Sequence, residues 1–365
     1  MFDRRLVECF DWGLFFITCL ISCIGLAVLY SAVTAGTPGG LHILFKKQII
    51  WIGVGFVVMC ASFTINYKLF DKGSLAIYLV CIGLLGAVLV FGKYIGGSRR
   101  WLDFGFFTMQ PSELMKLSLI ISLSAFYSVY ARDEGLNFLE LLKPGIILLI
   151  PFSLIVVQPD LGTSLLLFFI AATMTLFVKV EKRVLYLCTG VTAIAAPLVW
   201  FVLKDYQKAR ILTFLNPERD PLGAGYHIIQ SKIAIGSGMV FGKGYLQGTQ
   251  NALSFLPEQH TDFILSVLAE EFGLAGCAVL LILYCILLLC GLNVSYCCRD
   301  KFGSVLAFGI TTMIFWQVFI NVGMVMGLLP VVGVPLPLVS YGGSSVLTNM
   351  VGIGILLNIS MRNFS

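Results

Sequence analysis

The sequence predicts an all-α polytopic membrane protein of about ten transmembrane helices. Composition and run length both carry that expectation. Hydrophobic residues make up 58% of the 365 and charged residues only 12%, so most of the chain cannot be the wetted shell of a soluble domain. The apolar residues also fall in continuous stretches of Leu, Ile, Val, Phe and Gly, each of about 17–25 residues, long enough to cross a bilayer as helices. Strands of a β-barrel would be about half that length and would alternate.

The runs begin near Trp12, Ile49, Ser74, Pro111, Gly145, Leu161, Val184, Phe272, Val305 and Gly343. A polar loop at about 204–270 separates the seventh from the eighth. No separable soluble domain is expected, so residues 1–365 read as one integral membrane domain. The opening MFDRRLVECF looks like the basic start of a secretory signal. The apolar stretch after it is too long, and no small-residue cleavage site closes it, so it reads as an uncleaved first span.

Basic residues in short loops set the orientation. With the N-terminus inside, Arg4, Arg5, Lys68, Lys72, Arg132, Lys143, Lys179, Lys182, Arg183, Arg299, Lys301 and Arg362 are cytoplasmic; Lys46, Lys47, Lys93, Arg99 and Arg100 lie on short outer segments. The long loop is not counted, because long loops translocate largely regardless of charge. Both termini are thus expected inside and the loop outside. The net charge of +5 fits inner-face anchoring to anionic lipid rather than nucleic-acid binding. The cysteines lie in spans or on the inner side, with no disulfide framework and no metal-ligand spacing.

Polar groups at membrane depth mark the candidate site. Glu113 and Lys116, in QPSELMK at the head of the fourth span, are three residues apart and share a helix face. They make either a structural clamp or a substrate contact. Pro111 suits the first turn of that helix. Asp160, in QPDLGTS, either caps the next helix or lines a polar cavity. Arg99, Arg100 and Trp101 follow Gly96 and Gly97; they could anchor at the interface, and paired guanidinium groups would also suit a diphosphate.

Within the loop, IIQSKIAI reads as a short helix along the interface. GKGYLQGT is no P-loop, since it lacks the GKS or GKT ending, and no nucleotide cofactor is expected. Glu258, His260 and Asp262 precede the eighth span; in an extended segment His260 and Asp262 could face one cavity. One carboxylate there could act as a general base on a hydroxyl, could hold a divalent cation against a diphosphate, or could simply cap a helix. The proline-rich LLPVVGVPLPLVSYGGSS should pack into the bundle top, where protein can satisfy its non-helical backbone.

Together GGSRRW, QPSELMK, QPDLGTS, GYHIIQSKIAIGSG, LPEQHTDFILSVLAEE and PLPLVSYGGSS resemble the SEDS family (shape, elongation, division, sporulation) across essentially the whole chain, the elongation branch more than the division branch. The resemblance implies a SEDS-type bundle with a large extracytoplasmic catalytic loop between spans 7 and 8. It implies a peptidoglycan glycosyltransferase of the bacterial cytoplasmic membrane that polymerises lipid II at the outer face. Asp262 becomes the essential carboxylate, and Glu113 with Lys116 the polar pair of the cavity. Arg100, Trp101, Asp160, His260 and Ser340 fall in family motifs or beside the essential aspartate. A divalent cation, Mg or Mn, could assist. The implied partners are lipid II, a class B penicillin-binding protein and the elongation machinery. A lipid II flippase, a division-type polymerase and a noncatalytic scaffold are the competing readings.

Overall fold

Each expected apolar run that is fully described becomes a helix in the computed structural model, which describes residues 10–34, 43–95, 98–103, 105, 108–130, 135–187, 190, 201, 205–220, 223–253 and 258–362. The order is α1 (Trp12–Thr34), α2 (Ile43–Thr64), α3 (Lys68–Phe91), strands β1 (Lys93–Ile95), β2 (Ser98–Asp103) and β3 (Thr108–Met109), α4 (Pro111–Tyr130), α5 (Phe138–Val157) and α6 (Leu161–Phe177). Then follow α7 (Asp205–Leu215), α8 (Ala224–Gly238), the short α9 (Thr249–Ala252), α10 (Ile264–Cys297), α11 (Lys301–Val325) and α12 (Gly343–Arg362). Among the described residues, eight of these helices are long and apolar enough to cross a membrane. The expected seventh span lies mostly outside the described residues.

Helices begin earlier than hydropathy alone suggests, because backbone hydrogen bonding continues into polar turns until a cap stops it. Thus α3 starts at Lys68 rather than near Ser74, and α5 at Phe138 rather than near Gly145. Glu140 accepts a hydrogen bond from the Asn137 backbone N at 3.0 Å at the head of α5. Asp300 accepts from Gly303 N at 3.1 Å at the head of α11.

Helices α4, α11 and α12 form the centre, buried on most of their surface, while α3 and α5 present Leu75, Leu79, Leu139 and Leu149 outward. Leu119, Ile120, Met313 and Ile353 fill the core between the central three. That division matches a bundle in lipid, whose outer helices stay apolar on both faces. Between α3 and α4 the chain makes a small antiparallel sheet in the order β1-β2-β3, with Tyr94 opposite Arg99 and Leu102 opposite Met109. No strand pattern marks it in the sequence, since short, exposed strands lack a clear apolar alternation.

Helix α10 is interrupted at Gly273, whose φ of 64° and ψ of −160° leave the helical region. A left-handed φ with this ψ is open essentially to glycine alone. The groups freed by the break are taken up by the segment after α8. Lys243 N donates to Glu270 O and Gly244 N to Glu271 O, both at 3.0 Å. Leu274 N and Ala275 N donate to Met239 O and Val240 O, both at 2.9 Å. The loop is thereby stitched into α10 near Phe272, where the apolar run of the eighth span begins.

The proline-rich segment after α11 also enters the bundle, as its sequence requires. Val334, Leu336, Leu338, Val339 and Ser340 are buried. Asn321 Nδ2 donates to Val334 O at 2.8 Å, and Gln48 Nε2 donates to Ser340 O at 3.1 Å. Side chains of neighbouring helices thus satisfy a backbone that cannot satisfy itself. The expected interfacial helix is α8, but it docks on the bundle top: Ile228, Ser231 and Ala234 are buried, and Ser231 Oγ donates to Val325 O at 2.6 Å.

Candidate active site

These irregular segments meet above the central helices around a cavity of about 670 Å³. Its wall takes Arg100 and Trp101 from β2, Glu113 from α4, Asp160 from the turn before α6, and Asp262 from the turn before α10. Five of the sequence-predicted residues, drawn from positions 100 to 262, therefore share one space. Lys116, His260 and Ser340 do not line it, but each supports a residue that does or the turn that carries one.

Lys116 is buried beneath Glu113, its Nζ 2.7 Å from Glu113 Oε2. The expected ion pair is present, and Glu113 brings it to the cavity wall. Removing either partner would strand a buried charge. Asp160 likewise meets both expectations: its Oδ1 accepts from Thr163 N at 3.3 Å as the cap of α6, and its Oδ2 accepts from Gln110 Nε2 at 3.0 Å. Arg100 Nη1 stands 3.7 Å from Asp160 Oδ1. The guanidinium also donates to the carbonyls of Gln158 and Pro159. This ties β2 to the α5–α6 turn and holds the cation at the cavity wall.

Asp262 is held by its backbone. Its carbonyl accepts from Asn321 Nδ2 at 3.0 Å. On the residues just before it, Ser340 Oγ donates to Thr261 O at 2.6 Å, and Tyr341 N donates to His260 O at 2.9 Å. The turn is thus sewn to the proline-rich segment, and Ser340 and His260 act as its supports. Gly333 has a φ of 74°, and a Cβ built on it would stand 3.3 Å from Asp262 Oδ2. Only a glycine leaves that side of the carboxylate open.

Burial is the main force pushing the Asp262 carboxyl up to about 6, from an ordinary 3.8. The Glu258 and Asp160 carboxylates push the same way, while Arg210 and Arg100 oppose them. A carboxylate with that value is ionised at neutral pH yet basic enough to take a proton. Among the described residues, no group of three metal-ligating side chains gathers here or elsewhere.

Sequence reasoning missed Arg210 and His227, and it named Glu258 without giving it a place in the site; all three line the cavity. Arg210 and His227 lie in the long loop, and nothing in its spacing marks them out; only the docking of α7 and α8 brings them over the cavity. Trp51 was hidden in an apolar run, where a wall residue and a lipid-facing one look alike.

The family model of the FtsW/RodA/SpoVE cell cycle proteins matches residues 11–364. The chain belongs to that family. A peptidoglycan glycosyltransferase MrdB of Escherichia coli is 43% identical over 337 residues, covering 91% of this chain and 90% of the relative. A solved structure described as the structural coordination of polymerization and crosslinking by a peptidoglycan synthase complex superposes with a TM-score of 0.83 at 29% identity, over 98% of this chain and 99% of the other. The rod shape determining protein RodA of Thermus thermophilus gives a TM-score of 0.72 at 27% identity, over 98% of each chain. This member of the FtsW/RodA/SpoVE family is an integral membrane protein with peptidoglycan glycosyltransferase activity.

Proposed function

We propose that the chain polymerises lipid II, the undecaprenyl-diphosphate disaccharide-pentapeptide, at the outer face of the cytoplasmic membrane, with Asp262 as the base. In this reading both termini are cytoplasmic and the catalytic loop of about 204–270 is extracytoplasmic. The observation that carries it is Asp262: a carboxylate raised to about 6, on the wall of a cavity that also holds Arg100 and Arg210.

The acceptor's sugar hydroxyl attacks the donor's anomeric carbon from the face opposite the diphosphate. The new C–O bond forms as the anomeric C–O bond to phosphate breaks, turning an α link into a β link. Asp262 takes the hydroxyl proton. The electron pair of the broken bond leaves on the diphosphate, whose charge Arg100 and Arg210 offset. A diphosphate needs charge stabilisation more than a proton, so a site with one base and several cations suits it better than a paired-carboxylate glycosidase arrangement. Glu113 and Lys116 shape the floor.

Holding a divalent cation is the alternative use of Asp262: with Glu258 that carboxylate would bind the ion in place of taking the proton. Bound there, it would neutralise charge on the departing diphosphate. A class B penicillin-binding protein of the elongation machinery is the partner this reading calls for.

The test is to incubate purified protein, alone and with a class B penicillin-binding protein, with labelled lipid II, and to compare wild type with Asp262→Ala. Long glycan strands from wild type and none from the variant are expected. No polymer from either, with substrate binding demonstrated, would favour lipid transport or scaffolding instead.

A further inference from the structure

The side of the cavity carried by α8 holds a polar group that the chemistry above does not use. His227 lines the cavity with Glu258 and Asp262. Its ring stacks on Phe263, with centroids 5.9 Å apart and planes at 18°. Phe263 is buried and directly follows the base, so the imidazole is held beside Asp262 by packing. Its Nδ1 is closed off inside the packing, so the nitrogen the ring offers to the cavity is Nε2. A few polar groups converging on such a cavity are what orient a bound ligand.

The setting of α8 indicates that the ring stays in place. Ile228, next to His227, is buried, and one turn on, Ser231 Oγ is bonded to both Ser266 Oγ and Val325 O. Burial lowers the His227 pKa from its ordinary 6.5, against the pull of Glu258 and Asp220 upward. At neutral pH the ring is therefore uncharged, with one nitrogen donating and the other accepting. An uncharged imidazole is a poor partner for a diphosphate and a good one for a hydroxyl or an amide. The guanidinium groups of Arg100 and Arg210 carry permanent charge and complement it.

We propose that His227 contacts the substrate directly, hydrogen-bonding an uncharged hydroxyl or acetamido group on a sugar of the lipid-linked saccharide and positioning that sugar against Asp262. The inference rests on the glycosyl-transfer reading above and divides the cavity accordingly. The sugar lies on the α8 side, between His227, Glu258 and Asp262. The diphosphate lies with the two arginines.

The experiment is initial-rate glycan formation against lipid II concentration for wild type, His227→Phe and His227→Gln, with thermal melting of each in the same detergent. His227→Phe keeps a ring on Phe263 and removes both nitrogens; His227→Gln returns a polar atom near the place of Nε2. Expected is a fall of roughly tenfold in kcat/KM for His227→Phe, the worth of one hydrogen bond, with unchanged melting and substantial recovery in His227→Gln. Equal kcat/KM in His227→Phe and wild type would overturn the inference and leave the polymerase reading standing. A loss that Gln does not recover, with or without lowered melting, would reduce His227 to a structural residue and overturn it also. A wild type that makes no polymer would overturn the glycosyl-transfer reading, and this inference with it.

Discussion

Asp262 and Glu270 sit eight residues apart in one segment, LPEQHTDFILSVLAEEF, and the structure treats their carboxylates in opposite ways. Glu270 is fully buried and saturated. It is 2.7 Å from Lys243 Nζ, accepts from Thr249 Oγ1 at 3.1 Å, and accepts from the backbone N of Gln250 at 3.0 Å and of Asn251 at 3.4 Å. For Asp262 the bonds go to the backbone instead, and its carboxyl is left basic by burial and by neighbouring acids. Both are acids in a polar patch of a membrane protein. What separates scaffold from site is whether the surrounding donors have been spent on the carboxylate.

Replacing Asp262 by Asn should give the largest effect: glycan polymerisation falls by about 1,000-fold or more, as removal of a general base predicts. Stability should move the other way. The carboxyl titrates at about 6 when folded and near 3.8 when unfolded, so the ionised form costs stability that wild type retains below about pH 4 and loses as pH rises through 6. Asp262→Asn should therefore melt at least as high as wild type above pH 6, with the difference vanishing below pH 4. A variant that melts much lower at neutral pH would place Asp262 with Glu270 as a structural acid.

A substitution at Gly333 tests the open side of the site. Gly333→Ala forces a Cβ against Asp262 Oδ2 at a left-handed φ, so kcat should drop by about 100-fold through displacement of the base. Its melting should fall by only the equivalent of about 1–2 kcal/mol. Glu270→Gln should behave in reverse: stability falls by about 2 kcal/mol, since Lys243 keeps partial access to water, while activity per folded molecule stays near wild type. If Glu270→Gln abolished turnover in fully folded protein, the contrast between the two acids would fail. The smallest expected effect is a pH profile: kcat/KM should decline about tenfold per unit below an apparent pKa near 6, because a protonated Asp262 cannot take the hydroxyl proton. A profile flat down to pH 5 would remove the base assignment.

Much of the fold was legible in the sequence. Run length found the apolar spans among the described residues, and Pro111 and Asp160 stand where a first turn and a cap belong. The site was legible as motifs: Arg100, Trp101, Glu113, Asp160 and Asp262 each stood out as polar groups in costly places, and the cavity collects all five. The sheet at 93–109, the packing of α8 and the cavity roles of Arg210 and His227 were not legible. Their signals are short or polar, and they depend on contacts across long sequence separations.

By itself, then, the sequence determined that this chain lives in a bilayer, where its helices lie and which residues carry charge into it, because hydrophobic run length and the cost of buried charge act locally along the chain. Beyond the local Glu113–Lys116 pair, tertiary structure decided which of those charges would be neutralised and which left reactive. Lys243 closes on Glu270 only because the break at Gly273 admits a loop, and Asp262 stays basic because the fold buries it beside Glu258 and Asp160 while Asn321, Ser340 and Tyr341 hold its turn by the backbone. Hydrogen-bond satisfaction is a property of the folded neighbourhood, set by groups up to a few hundred residues apart, and no local pattern encodes it.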